Sequence, residues 1–259
     1  MSTVTEPVTA AINLPSQRPP TPPMFASPQD KRTFIQRLFT KIAPRYDWFN
    51  RLASCGLDQR WRRMALTRGG LAPGQRILDV CTGTGDLAIL CAQQQRGEGL
   101  VIGVDMNGAM LAGAQGKQRA RGLSVEWLQA DALVLPFVDG SFDRVTIGFS
   151  TRNLGDLAVG LQEMVRVLRP GGRLIVLETG RPNNPVVRAG YHLFLLTIAR
   201  LIGFLLTGRL WPFTYLATSV QQFLSPAQFI ERLQDVQTQI EYIPLSGGLA
   251  SLYLATKIS

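Results

Sequence analysis

The chain has 259 residues, 46% of them hydrophobic, and a formal net charge of +9. That length suits one domain with insertions, and that apolar share can bury a sizeable core, which excludes a disordered or fibrous chain. Cys55, Cys81 and Cys91 form neither a metal-ligand spacing nor an even-numbered disulfide framework, so no metal is expected and the inference is a reduced, cytoplasmic protein.

Residues 1–28 carry seven prolines, from Pro7 to Pro28, and read as a disordered, polyproline-like tail. They hold no basic segment followed by an apolar one, so no signal peptide is expected. Residues 29–259 are expected to form a single domain. Its first part, 29–70, is a helical cap: Phe34, Leu38 and Ile42 recur at four-residue spacing over 28–42, Ala43-Pro44 breaks the pattern, and a second helix runs through Trp61. Between Lys31 and Arg68 there are ten Lys or Arg residues against only Asp47 and Asp58. Such a basic stretch suits nucleic acid or an anionic membrane surface, and otherwise a solvated helix face.

From Gln75 short apolar strands alternate with helices: strands at 76–81, 101–105, 125–131, 142–149 and 173–178, and helices from Asp86, over 107–121 and over 156–168. That alternation predicts a parallel sheet covered by helices on both faces. An apolar helical insertion follows over 183–224. Its most apolar run, Tyr191 to Leu206, contains Arg200, and no stretch reads as long and apolar enough to span a bilayer. The insertion can shape a channel, rest on a membrane surface, or pack in the core or against a second copy in a homodimer. A helix opens at Ser225-Pro226. Strands at 238–244 and 250–256, joined by only Leu245–Leu249, should pair as an antiparallel hairpin. The fold class expected is α/β: a class I, Rossmann-like domain with a seven-stranded, mostly parallel sheet ending in that hairpin.

The strongest motif is LDVCTGTGDLA, 78–88. A glycine turn after the first strand, at Gly83 and Gly85, lets a ligand approach the backbone. Asp105, about 20 residues further on at the end of the second strand, can accept hydrogen bonds from ribose hydroxyls. Gly83-x-Gly85-x-x-Ala88 also satisfies the dinucleotide fingerprint, so an NAD(P)-binding oxidoreductase stays open on this motif alone. Asp79 lies inside the first strand, where dinucleotide proteins keep apolar residues; in methyltransferases an acid there helps place the methionine end of S-adenosyl-L-methionine. Asp131-Ala132 in QADALVLPF suits the adenine amino group and ring edge. RPGGRLIVLE, 169–178, completes an ordered set of four motifs.

Three segments carry a family resemblance: IAPRYDWFNRLASCGLDQRWRR (42–63), LDVCTGTGDLA with its following acid, and FSTRNLGDLAVGLQEMVRVLRPGGRLIVLE (149–178). With them the chain resembles the UbiE/MenG/COQ5 family of quinone-biosynthesis C-methyltransferases, from about Thr33 to the carboxyl terminus. The resemblance implies methylation of demethylmenaquinol or a related polyprenyl quinol, and cofactor contacts by Thr84, Asp105, Asp131, Ala132 and Ser150. Met106, beside Asp105, joins the cofactor set. The chain departs from the family at Asp58, where many members have histidine, at Thr179, where they tend to have phenylalanine, and over 208–226, which is more apolar.

Methyl transfer to carbon needs a nucleophilic quinol ring, hence a proton acceptor and a donor or cation near the ring oxygen. Arg152 and Asn153 follow the fourth strand at the ligand-binding end of the sheet and are candidates for the oxygen and for ring orientation. Tyr46, Asp47 and Asn50 can close the pocket, with Asp47 or Asp58 as proton acceptor; helix packing and capping is the alternative for all of these. His192 reads as a packed or interfacial residue. The competing functions are an RNA or other small-molecule methyltransferase of the same fold, the oxidoreductase, and a non-catalytic cofactor sensor. FSTRN in place of an NPPY-like motif argues against nucleic acid as a partner. A prenylated quinol substrate instead argues for peripheral membrane association.

Overall fold

A computed structural model describes residues 25–258; of the proline-rich tail, residues 1–24 lie outside the described part. The tail's last residues are built into the domain. Phe25 packs against Phe34, with ring centroids 5.2 Å apart, and Ser27 caps the first helix, α1 (Pro28–Ile42), by accepting from the Asp30 amide at 3.1 Å. Proline at the first helical position costs that helix nothing, because its N–H would be unpartnered there. Ile35, Leu38 and Ile42 form its buried stripe.

The cap then contains two helices, α2 (Tyr46–Ala53) and α3 (Leu57–Arg68), where one running through Trp61 was expected. Cys55 (φ 49°) and Gly56 (φ 77°) are both left-handed, which ends α2 and re-aims the chain.

Within the described residues one seven-stranded sheet forms the centre, in the order β3-β2-β1-β4-β5-β7-β6. Strands β1 (Arg76–Val80), β2 (Leu100–Asp105), β3 (Glu126–Gln129), β4 (Phe142–Gly148) and β5 (Leu168–Thr179) run parallel. Helices α4 (Asp86–Gln95), α5 (Gly108–Arg121) and α6 (Leu157–Arg166) connect them. β5 begins earlier than expected, because Leu168 pairs with Phe142 before the RPGG bulge and Arg173 with Arg144 after it. Strands β6 (Thr238–Leu245) and β7 (Ala250–Lys257) pair antiparallel, and β7 inserts beside β5. Central strands are buried on both faces, with Leu78 and Val80 in one cluster and Ile77 in another. The strand order reverses between β1 and β4, which opens a crevice at their carboxyl ends.

The insertion is three helices, α7 (Pro185–Leu196), α8 (Ile198–Thr207) and α9 (Trp211–Gln222), followed by α10 (Pro226–Gln234) behind a Ser225/Gln228 capping box. The insertion departs from the expectation that no stretch is long and apolar enough to span a bilayer. Pro185–Thr207 runs 23 residues with a mean hydropathy of 1.7 in its most apolar window, which is long and apolar enough to cross a membrane by length and composition. Its arrangement is not that of a straight span, since the chain kinks at Thr197 (φ −115°, ψ −80°). Each half, at 1.5 Å per residue, covers at most roughly 18 Å of an about 30 Å hydrocarbon layer. Only 17% of that window is buried, so it is not a core helix either.

Candidate active site

The crevice holds a cleft whose wall includes Asp79, Gly83, Thr84, Asp105, Met106, Asp131, Ala132 and Ser150. The β1–α4 turn builds one side. Gly83 takes φ 56°, and a Cβ there would meet nothing within 4 Å, so its backbone faces open space. Gly85 serves differently: it takes φ 78°, and a Cβ would lie 2.5 Å from the Trp127 ring and 2.9 Å from Ala114. It lets α4 pack closely and does not line the cleft.

Asp105, at the end of β2, accepts from the Gly83 and Asn107 amides, both at 2.8 Å. Each carboxylate oxygen holds one backbone N–H and keeps lone-pair capacity for a further donor, which matches a ribose diol. Burial pushes its carboxyl upward against those two hydrogen bonds. Asp79 is 1% exposed and accepts from Thr82 Oγ1 at 2.5 Å and Thr146 Oγ1 at 2.6 Å. Burial pushes its carboxyl up to about 6, despite those hydroxyls and the nearby Arg62. Asp131 accepts from the Leu133 amide at 3.0 Å and is paired with Arg32 of α1 at 2.7 Å. Ser150 donates to the Gly148 carbonyl at 3.2 Å.

Thr84 donates to Asp47 at 2.5 Å, and Lys117 of α5 bridges Asp47 at 2.8 Å and Asp86 at 2.5 Å. Gln59 of α3 also donates to Asp86, at 3.0 Å. The cap is thereby tied to the glycine turn through Asp47. That residue does not line this cleft, and its carboxylate is committed to Thr84 and Lys117.

A second cavity adjoins the first and shares Phe39, Tyr46, Arg62 and Asn153 with it. Its wall is drawn from the cap, the insertion and the segment after β4, with Phe49, Trp61, Phe149, Tyr191, Phe194 and Phe213 among the lining side chains. Arg152 lies on this wall and is ion-paired with Glu178, which is 1% exposed; it also donates to the Phe149 carbonyl at 2.7 Å. Its Nε is buried without a hydrogen-bond partner among the described residues. Burial works most strongly against the Arg152 charge, but Glu178, Tyr46 and Tyr215 together outweigh it and hold the guanidinium above its ordinary pKa. Asn153 accepts from the Tyr215 hydroxyl at 3.0 Å, placing an amide where the two cavities meet. Burial raises Tyr46, against a hydrogen bond with Asn50, and pushes Tyr215 and Tyr191 up to about 12. Asp58 lines the second cavity while accepting from Ser54 at 3.0 Å and Gln59 at 2.9 Å.

The structure thus brings Tyr46, Asn153, Arg152 and Asp58 to the second cavity and leaves Asp47 behind the glycine turn. Sequence reasoning missed Arg32, Lys117, Glu178 and Tyr215. Glu178 closes the strand motif RLIVLE, so a buried acid there was the signal for a cationic partner. The donor set fits S-adenosyl-L-methionine: carboxylates for the ribose and the cationic end, and an open glycine backbone beside them.

The comparisons agree. A profile of the ubiE/COQ5 methyltransferase family matches residues 26–257. A demethylmenaquinone methyltransferase of Thermus thermophilus is 41% identical over 220 residues, covering 85% of this chain and 100% of that protein. A ubiquinone/menaquinone biosynthesis C-methyltransferase UbiE of Bdellovibrio bacteriovorus is 39% identical over 224 residues, covering 86% and 95%. Among solved structures, magnesium protoporphyrin IX methyltransferase from Synechocystis, determined with bound S-adenosylhomocysteine, superposes with a TM-score of 0.59 at 18% identity, covering 88% of this chain and 100% of that one. That likeness speaks to the fold. The choice that the glycine pattern left open falls to methyl transfer, and the chain belongs to the ubiE/COQ5 methyltransferase family, whose activity depends on S-adenosyl-L-methionine.

Proposed function

We propose that this chain methylates a ring carbon of a prenylated quinol, with demethylmenaquinol as the first substrate and a polyprenyl benzoquinol as the alternative. The observation that supports it is the second, aromatic-lined cavity opening onto the cofactor cleft at Tyr46 and Asn153. The names of the relatives point the same way.

S-adenosyl-L-methionine supplies an electrophilic methyl group. The residues of the chain must then favour the quinolate and aim its ring carbon. Loss of a hydroxyl proton makes the adjacent carbon nucleophilic. With the cofactor bound, methyl transfer to that carbon would be followed by loss of the carbon's own proton to water, which restores aromaticity, and by return of the hydroxyl proton to the ring oxygen. Arg152 supplies positive charge at the ring oxygen, and Asn153, steadied by Tyr215, orients the ring. Tyr46, held protonated by burial, donates to an oxygen. Of the two expected proton acceptors only Asp58 reaches this cavity wall, so it is retained and Asp47 takes a positioning role.

A prenyl tail resides in the bilayer, and the insertion that walls the cavity carries exposed apolar side chains, including Val186 (78% exposed) and Leu205 (73%). Trp48, 60% exposed, lies on α2, the cap helix that packs against α8. We assign this face to peripheral contact with an anionic membrane, aided by the exposed Arg60 and Arg63 of the cap. The experiment for the reaction uses methyl-labelled S-adenosyl-L-methionine against reduced naphthoquinones and benzoquinones of differing prenyl length. Label in the quinone fraction, rising with prenylation, is expected; label in RNA or only in unprenylated phenols refutes the reading.

A further inference from the structure

The ionisable wall of the cofactor cleft is lopsided. Asp79, Asp86, Asp105 and Asp131 line it, and its cations are Arg32 and Arg62. Arg32 is fastened to Asp131 at 2.7 Å. Arg62 is ion-paired only at long range. It is only 6% exposed, and its Nε is buried with no hydrogen-bond partner among the described residues. The carboxylates nearest Nε, on Asp58 and Asp86, are 3.8 and 4.0 Å away, beyond hydrogen-bond reach. Both are already served, Asp58 by Ser54 and Gln59, and Asp86 by Gln59 and Lys117.

The guanidinium is nonetheless held in one place. It lies over the Phe149 ring, 5.1 Å from the centroid. Its Nη1 sits against Gly148, at the carboxyl end of β4, where a Cβ would come within 3.1 Å of it. Its charge acts on Asp79, the acid that the sequence pattern assigns to the methionine end of the cofactor. A buried cation without hydrogen-bonded partners is costly, and the cost is recovered when a carboxylate meets the fork of N–H donors.

S-adenosyl-L-methionine brings one carboxylate together with two cations, the sulfonium and the ammonium. The aspartates suit the cations and the ribose. The carboxylate needs a basic partner, and Arg62 is the one on this wall that no acid holds within hydrogen-bond distance. We propose that Arg62 binds the methionine carboxylate of the cofactor. The role falls to a cap residue, so the cap takes part in cofactor binding as well as closing the second cavity.

The test compares binding of S-adenosyl-L-methionine and its decarboxylated analogue, which keeps both cations and lacks only the carboxylate, by titration calorimetry on the full chain. The native protein should bind the complete cofactor about 10- to 100-fold more tightly, the range of a charge-assisted hydrogen-bond pair. Arg62→Gln should abolish that preference while leaving affinity for the decarboxylated analogue unchanged. Arg62→Lys, with the charge but not the fork, should keep an intermediate preference. The proposal is overturned if the native protein shows no preference, if Arg62→Gln retains it, or if Arg62→Gln weakens both ligands equally. An unchanged preference together with a raised KM for the quinol would place Arg62 on the substrate instead.

Discussion

Replacing Asp105 by alanine probes the ribose site most sharply. In the native protein its two oxygens each hold one backbone N–H at 2.8 Å, from Gly83 and Asn107, leaving one acceptor direction each toward the cleft. Hydrogen bonds to a charged group contribute about 1.5–3 kcal/mol net. The ribose hydroxyls, once freed, are solvated by water, so the two lost bonds do not add in full. The expected loss is therefore about 1.5–3 kcal/mol in total, or roughly 10- to 150-fold in Kd. Asp105→Asn keeps a neutral acceptor and should lose less. The assay is calorimetric titration of S-adenosylhomocysteine into each variant, with thermal unfolding as the check that the glycine turn is still formed. An affinity equal to the native protein's, in a variant that unfolds cooperatively, would refute the assignment of Asp105 to the cofactor.

Three further outcomes are expected. Burial pushes the Asp79 carboxyl up to about 6 from an ordinary value of 3.8, so the folded, cofactor-free protein binds a proton that the unfolded chain has released. Stability linked to this group is fully present below pH 3.8 and is lost as pH rises through about 6; urea unfolding from pH 4 to 7 should show that slope, and Asp79→Asn should flatten it. Arg152→Ala leaves the Glu178 carboxylate buried without its cation, costing about 3–5 kcal/mol in unfolding experiments. A paired Arg152→Met, Glu178→Leu variant should regain that stability without regaining turnover, whereas recovery of both would leave Arg152 a purely structural role. The protein should float with anionic vesicles at low salt and be released at high salt, and Leu201→Asp with Leu205→Asp should prevent the flotation. A chain that stays with the soluble fraction and sediments as a dimer would assign that apolar face to a second copy.

The sheet was legible because its central parallel strands are buried on both faces and read as short apolar runs, as RILDV and LVIGVD do. Glycines that need positive φ, Gly83 and Gly85, marked the turn after β1, and distance along the chain marked Asp105, which shares the cleft wall with Gly83. The commitments of Asp47 and Asp58 were not legible. Asp47 is tied by Thr84 and Lys117, and its pattern in the sequence is that of any helical acid; only the docking of α2 onto the β1–α4 turn brings those partners together. Arg152 raised the same difficulty, since the acid that holds it ends the next strand. The two-helix cap depended on a left-handed Cys55, a conformation that residue types other than glycine rarely announce. The kink at Thr197 was hidden because the apolar pattern continues through it.

The central claim is that the second cavity presents a quinol ring carbon to the methyl donor. A quinone carbon is electron-poor and does not attack, so the redox state of the ring decides the outcome. The most direct measurement is anaerobic turnover with labelled S-adenosyl-L-methionine and demethylmenaquinone, either reduced by dithionite or left oxidised. Methyl incorporation into carbon with the reduced form, and none with the oxidised form, is the predicted result; equal rates with both would contradict the account.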